Sequence, residues 1–215
     1  MQKVKCFGGA MLAFTLSCTS CTNGYQSKIT NDKDMETIQT TNNNSELPKA
    51  HSFVASPLRN RIKLKLNAPV SEVWAVIGDP SRMPEYSEGL QKVESKKDER
   101  GNCIAYTCYF KPMEAGGQEV IHSASMKWYE PNHGWASLDE EPNPFGLQQS
   151  LTLITLEPQD KSTILNWEMH FNAENEETVK MNVSSLEQAL NNDIAQRLIQ
   201  MFGGKVLESY VEGKK

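Results

Sequence analysis

The C-terminal stretch 184–212, SSLEQALNNDIAQRLIQMFGGKVLESYVE, repeats apolar side chains at three- and four-residue steps. Leu186, Leu190, Ile194, Leu198, Met201, Phe202, Val206 and Tyr210 thereby fall on one side of a single long amphipathic helix. Ser184 and Glu187 stand at capping-box spacing, which predicts the helix start there. Gly203 and Gly204 sit inside the run, where two glycines cost about 2 kcal/mol of helix stability relative to alanine. Their missing side chains are therefore expected to serve close approach or to leave room beside Phe202. A helix with so much apolar surface also needs a partner, which the preceding chain must supply.

That partner reads as an antiparallel sheet. In 61–66, Ile62, Leu64 and Leu66 alternate with Arg61, Lys63 and Lys65, the signature of a half-buried strand. Pro69 then opens a short helix over 69–77, with Val70, Val73, Trp74 and Ile77 as its apolar stripe, and Gly78-Asp79-Pro80 breaks it before a second short helix at 81–86. Strands follow at 90–95, 103–110, 120–129, 135–138, 147–156 and 162–171, separated by turns at 96–102, Gly116-Gly117, 131–134, the Pro142-Pro144-Gly146 loop, and 157–160. Along the last strand Leu165, Trp167, Met169 and Phe171 alternate with Asn166, Glu168 and His170, which predicts that Glu168 and His170 face solvent. The chain is thus α+β: one strand, two short helices, an antiparallel meander, and a terminal helix covering the apolar face of the sheet.

The 215 residues, 38% hydrophobic with a net charge of -5, admit one generous domain. Basic residues are scattered, so no nucleic-acid partner is expected. At the N-terminus, Lys3 and Lys5 precede an uncharged run ending in Ser17 and Cys18, the pattern of an export signal over 1–21. Phe14-Thr15-Leu16-Ser17-Cys18 also resembles a bacterial lipobox, which implies lipidation of Cys18, with Cys21 as the alternative and a plain secreted chain as the other reading. The polar, aromatic-poor stretch 22–57 reads as a disordered tether, with a reach on the order of 30 Å that would hold a domain clear of a bilayer. Localisation is accordingly expected at the cell envelope, periplasmic or on the surface. Cys103 and Cys108, five apart in one strand, are expected on opposite faces as buried thiols.

The segment LNAPVSEVWAVIGDPSRMPEY, residues 66–86, resembles the opening motif of the START/Bet v 1-like (SRPBCC) superfamily, in particular its polyketide cyclase/dehydrase branch. The resemblance extends over 58–212. It implies the helix-grip fold, a curved antiparallel sheet wrapped around a long C-terminal helix, with two short helices after the first strand and an internal cavity for an apolar small molecule. The branch includes lipid and hormone carriers as well as aromatase/cyclases and has no single catalytic motif to carry over.

Alternation places Leu165, Trp167, Met169, Phe171, Leu151, Leu153, Val120, Ala124 and Met126 on the cavity wall, closed by Leu198, Met201 and Phe202 of the helix. Met83, Tyr86 and Phe145 are expected at the mouth. His122 falls in register with Val120, Ala124, Met126 and Trp128, and Tyr106 faces with Ile104, Cys108 and Phe110. That makes His122 and Tyr106 the acid/base candidates, against the plainer reading of a histidine satisfied by backbone or Glu119. Asp139-Glu140-Glu141 reads as a solvated acidic loop. With no Gly-rich phosphate loop, serine elbow or Cys/His metal spacing, no cofactor and no metal are expected. The functional expectation is binding of a hydrophobic or amphipathic small molecule by an exported, lipid-anchored domain. A cyclase/dehydratase-like enzyme and an envelope interaction protein with a filled cavity are the alternatives.

Overall fold

The computed structural model describes residues 46–112 and 117–214; the expected export signal, both lipidation candidates and most of the expected tether lie outside the described residues. Eight antiparallel strands form one sheet: β1 (Leu58–Leu66), β2 (Leu90–Lys97), β3 (Cys103–Phe110), β4 (Val120–Glu130), β5 (Gly134–Asp139), β6 (Leu147–Gln159), β7 (Ser162–Ala173) and β8 (Gly204–Val211). Their order across the sheet is β2-β3-β4-β5-β6-β7-β1-β8. The meander runs sequentially from β2 to β7. Helix α1 (Val70–Ile77) and a 3₁₀ turn (Pro80–Glu85) carry the chain between β1 at one side of this meander and β2 at the other. Asp79 caps that turn by accepting from the Ser81 amide, and Trp135 donates to the Ile77 carbonyl at 2.9 Å, tying α1 to the sheet.

The inner face is set by register. Ile62 lies opposite Trp167 and Leu64 opposite Leu165 on β1 and β7; across the next ladder Ile154 faces Trp167 and Leu156 faces Leu165. All belong to the main core, into which α1 inserts Val73 and Ile77. Leu151 and Leu153, expected on this face, are instead on the other one, where they cluster with Ala136. Strand β6 is buried on both sides from Ser150 to Leu156, so no alternation marks its phase, and a register shift between Gln148 and Leu151 sets it. A second shift, between Met126 and Trp128, turns Trp128 to the outer face. A third, opposite Lys96 and Lys97, brings Cys103 and Cys108 to the same face, both buried and free, and leaves Ile104 exposed. The β6–β7 hairpin also turns later than expected, since Pro158 still pairs with Thr163.

The outer face is covered where a tether was expected. Ala50, Phe53 and Val54 pack on Ala136, Leu151 and Leu153, burying apolar surface that the sheet would otherwise show to water. Ser56 donates to the Gln149 carbonyl at 3.0 Å. Beneath this segment His170 is buried and Glu168 half-buried rather than solvated: His170 Nε2 is 3.0 Å from Glu168 and its Nδ1 is 3.3 Å from the Ser56 carbonyl.

The terminal helix begins earlier and ends sooner than its periodicity predicts. Asn175 caps it by accepting from the Thr178 amide, and α2 (Glu176–Leu186) runs into a π-helical segment (Glu187–Ile194) and then α3 (Ala195–Phe202). Gly203 (φ 70, ψ 173) stops the helix in a conformation almost confined to glycine. Gly204 then starts β8 against Leu66, where a Cβ would lie 2.0 Å from the Lys65 carbonyl oxygen. The glycine pair is therefore a helix-to-strand switch and not a feature of a lid. Val206 and Tyr210 sit exposed on this edge strand.

Candidate functional site

Between the inner sheet face and the π-helical segment lies a cavity of about 180 Å³. The sheet contributes Tyr106, Cys108 and Phe110 from β3, His122 from β4, and Trp135 and Asp139 from β5. Thr152, Trp167 and Met169 continue the wall across β6 and β7. Leu186, Ala189, Leu190 and Ile194 line the helix side, and Phe145 projects from the β5–β6 loop. Widened helical turns place this part of the helix over the cavity, whereas α3 packs Ala195 and Leu198 into solid core.

Six of the predicted binding residues, Met83, Tyr106, His122, Phe145, Trp167 and Met169, line the cavity. Tyr86 does not; it is fully buried behind the wall, edge-on to Trp167 at 6.4 Å. Leu165 and Leu198 are fully buried in the core, against which Met126 and Phe202 also pack. The reason is longitudinal: alternation tells which face a residue is on but not how far along the sheet the void lies.

The polar groups of the wall pair differently from the expected Tyr106–His122 couple. The Tyr106 hydroxyl is 2.8 Å from that of Ser137, and burial pushes its phenol well up from the ordinary value. Burial likewise pushes the Cys108 thiol up to about 12, so it stays protonated and behaves as an apolar group. The neighbour of His122 is Asp139, with Nε2 3.2 Å from Oδ1 and both side chains at least nine-tenths buried. This contact does not form a hydrogen bond, and His122 Nε2 has no hydrogen-bond partner among the described residues. Asn143 donates to Asp139 Oδ2 at 3.0 Å and accepts from the Phe145 amide, so Asp139 holds the Phe145 loop over the site.

Trp167 Nε1, in the same wall, also lacks a partner among the described residues, as do the Tyr86 hydroxyl and both amide atoms of the fully buried Asn60, opposite Met169. Sequence reasoning missed Asp139 because it ended β5 at Leu138. Extending the alternation of Trp135 and Ser137 by one step would have placed Asp139 on the inner face. A wider hollow of about 620 Å³ beside α2 is walled chiefly by charged side chains already tied in ion pairs, such as Arg59–Glu212 and Lys214–Glu187.

Residues 61–200 match the sequence profile of the family described as polyketide cyclase/dehydrase and lipid transport. The chain belongs to this family. Among solved structures, a START superfamily protein from Mycobacterium smegmatis is 12% identical with a TM-score of 0.52, the match covering 66% of this chain and 97% of that one. The Zhui aromatase/cyclase of a Streptomyces species is 15% identical with a TM-score of 0.53, over 67% and 93% of the two chains. These likenesses establish the START-type helix-grip fold. No curated protein sequence matches the chain. The family match runs from within β1 to within α3, so β8 of this cyclase/dehydrase-family domain lies beyond the matched residues.

Proposed function

We propose that the domain holds a hydrophobic or amphipathic small molecule in the cavity beneath its π-helical segment, and that it does so as an exported, lipid-anchored protein of the cell envelope. The observation that carries the binding role is an apolar cavity with two wall atoms, Trp167 Nε1 and His122 Nε2, that have no hydrogen-bond partner among the described residues. A buried polar group without a hydrogen bond costs about 1–3 kcal/mol, which a ligand oxygen offsets. Native mass spectrometry on protein purified under mild conditions tests the role. A bound mass lost on denaturation is the expected result, and a protein that is empty and takes up no added apolar ligand contradicts it. The anchor rests on Cys18: Cys18→Ser moves the chain from the membrane to the soluble fraction, unless Cys21→Ser alone does so.

The His122–Asp139 contact favours a second reading, a cyclase/dehydratase-like enzyme, because an imidazole beside a carboxylate can accept a proton from carbon next to a ligand carbonyl. Exchange of the α-protons of 2-tetralone in D2O, followed by NMR, checks it. Exchange no faster than in buffer removes this reading and leaves binding intact.

A further inference from the structure

We infer that the cavity selects compact, uncharged ring molecules bearing a carbonyl or hydroxyl oxygen, and that Asp139 makes it reject carboxylates and phosphates. This rests on the reading of the cavity as a ligand site. Size comes first. A cavity of about 180 Å³ is close to the roughly 150 Å³ that accommodates a benzene ring, and well under the roughly 300–1,000 Å³ of sites for drug-sized ligands. One or two rings fit; a long acyl chain does not. The wall suits rings as well, since Tyr106, Phe110, Trp135, Phe145 and Trp167 supply aromatic surface on several sides.

Charge comes second. Among the described residues no lysine or arginine lines the cavity, whereas Asp139 places a carboxyl in its wall with only 8% of the side chain exposed. An anionic ligand would therefore bring like charge toward Asp139 in a poorly hydrated space, and the one basic group there, His122, already faces that carboxyl. Hydrogen bonding comes third. Trp167 Nε1 is a donor only and has no acceptor among the described residues, so the matching ligand atom is an acceptor, which the carboxyl of Asp139 restricts to an uncharged oxygen.

Calorimetric titration of the full-length protein with 2-naphthol, 2-naphthoate and palmitate tests the inference. The expected result is saturable one-to-one binding of 2-naphthol, binding of 2-naphthoate weaker by about tenfold or more, and no binding of palmitate. Asp139→Asn, nearly isosteric, should close most of the gap by strengthening 2-naphthoate relative to 2-naphthol. Wild-type protein that binds 2-naphthoate or palmitate as tightly as 2-naphthol overturns the selectivity but keeps the ligand site. An unchanged ratio in Asp139→Asn removes Asp139 as its source. Failure of all three probes to bind overturns both the inference and the reading beneath it.

Discussion

The hydroxyls of Tyr106 and Ser137 satisfy each other at 2.8 Å in a buried wall, so removing one strands the other. Tyr106→Phe should lower stability by about 1–2 kcal/mol, and Tyr106→Phe with Ser137→Ala should recover part of that loss. Urea denaturation of the two single variants and the double variant decides; strictly additive effects would show that the pair is not coupled. On the outer face, Glu168 makes a different prediction. The hydrogen bond from His170 holds its carboxyl below the ordinary range against the opposing effect of burial, with help from Asn166 and the nearby Arg61. A carboxyl with a depressed folded-state pKa contributes stability above its unfolded value and loses it as pH falls through the folded one. The native protein should therefore weaken as pH drops below about 4, and Glu168→Gln should flatten that part of the acid limb in pH-dependent thermal denaturation. An unchanged acid limb in the variant would place the acid sensitivity elsewhere.

At the level of elements, the chain from 184 to 212 shows what periodicity can and cannot decide. A four-residue step is in phase with a helix face. Val206 and Tyr210 therefore fit the helical series running up to Phe202, yet they lie in β8, where a register shift opposite Lys63 and Leu64 pairs Val206 with Leu64 and Tyr210 with Arg61, on opposite faces. The deciding residues were Gly203 and Gly204, legible as an anomaly but read as interior to a helix. In Gly204→Ala the new Cβ meets the Lys65 carbonyl oxygen and the residue keeps a φ of 123° that alanine rarely adopts. The variant should lose about 2 kcal/mol or more and release β8 from β1. Hydrogen exchange reads this directly, with β8 amides deprotected while β6–β7 amides remain slow. Uniform protection across both regions would mean that β8 tolerates the change. The same limit explains β6, where burial on both faces removed the alternation, and β4, where one bulge turned Trp128 outward. Element order and type were readable because each segment is patterned locally; strand phase was not, because bulges and two-sided burial are settled by neighbouring strands.

For the whole molecule, the site was legible in its ingredients and not in its location. His122, Tyr106 and Trp167 are recognisable as inward-facing, but the void is fixed by where the helix widens into π-helical turns, and those turns leave no mark in apolar spacing. This makes the helix side of the cavity the place to test whether the void serves uptake. Ala189 and Leu190 are neighbours there with opposite surroundings: Ala189 is solvent-exposed while lining the cavity, so it stands on the rim, and Leu190 is 2% exposed in the core. A tryptophan at Ala189 has solvent to expand into and can lie across the opening, so Ala189→Trp should change stability by less than about 0.5 kcal/mol while reducing 2-naphthol uptake. A tryptophan at Leu190 has no solvent to expand into and must crowd both the cavity and the core beside it, so Leu190→Trp should destabilise by about 1–3 kcal/mol. The pair separates access from folding: uptake lost in Ala189→Trp at unchanged melting temperature marks the rim beneath the π-helical segment as the ligand's entry. Undiminished uptake in that variant would move the entry to the Phe145 side, where the loop held by Asn143 and Asp139 forms the facing wall.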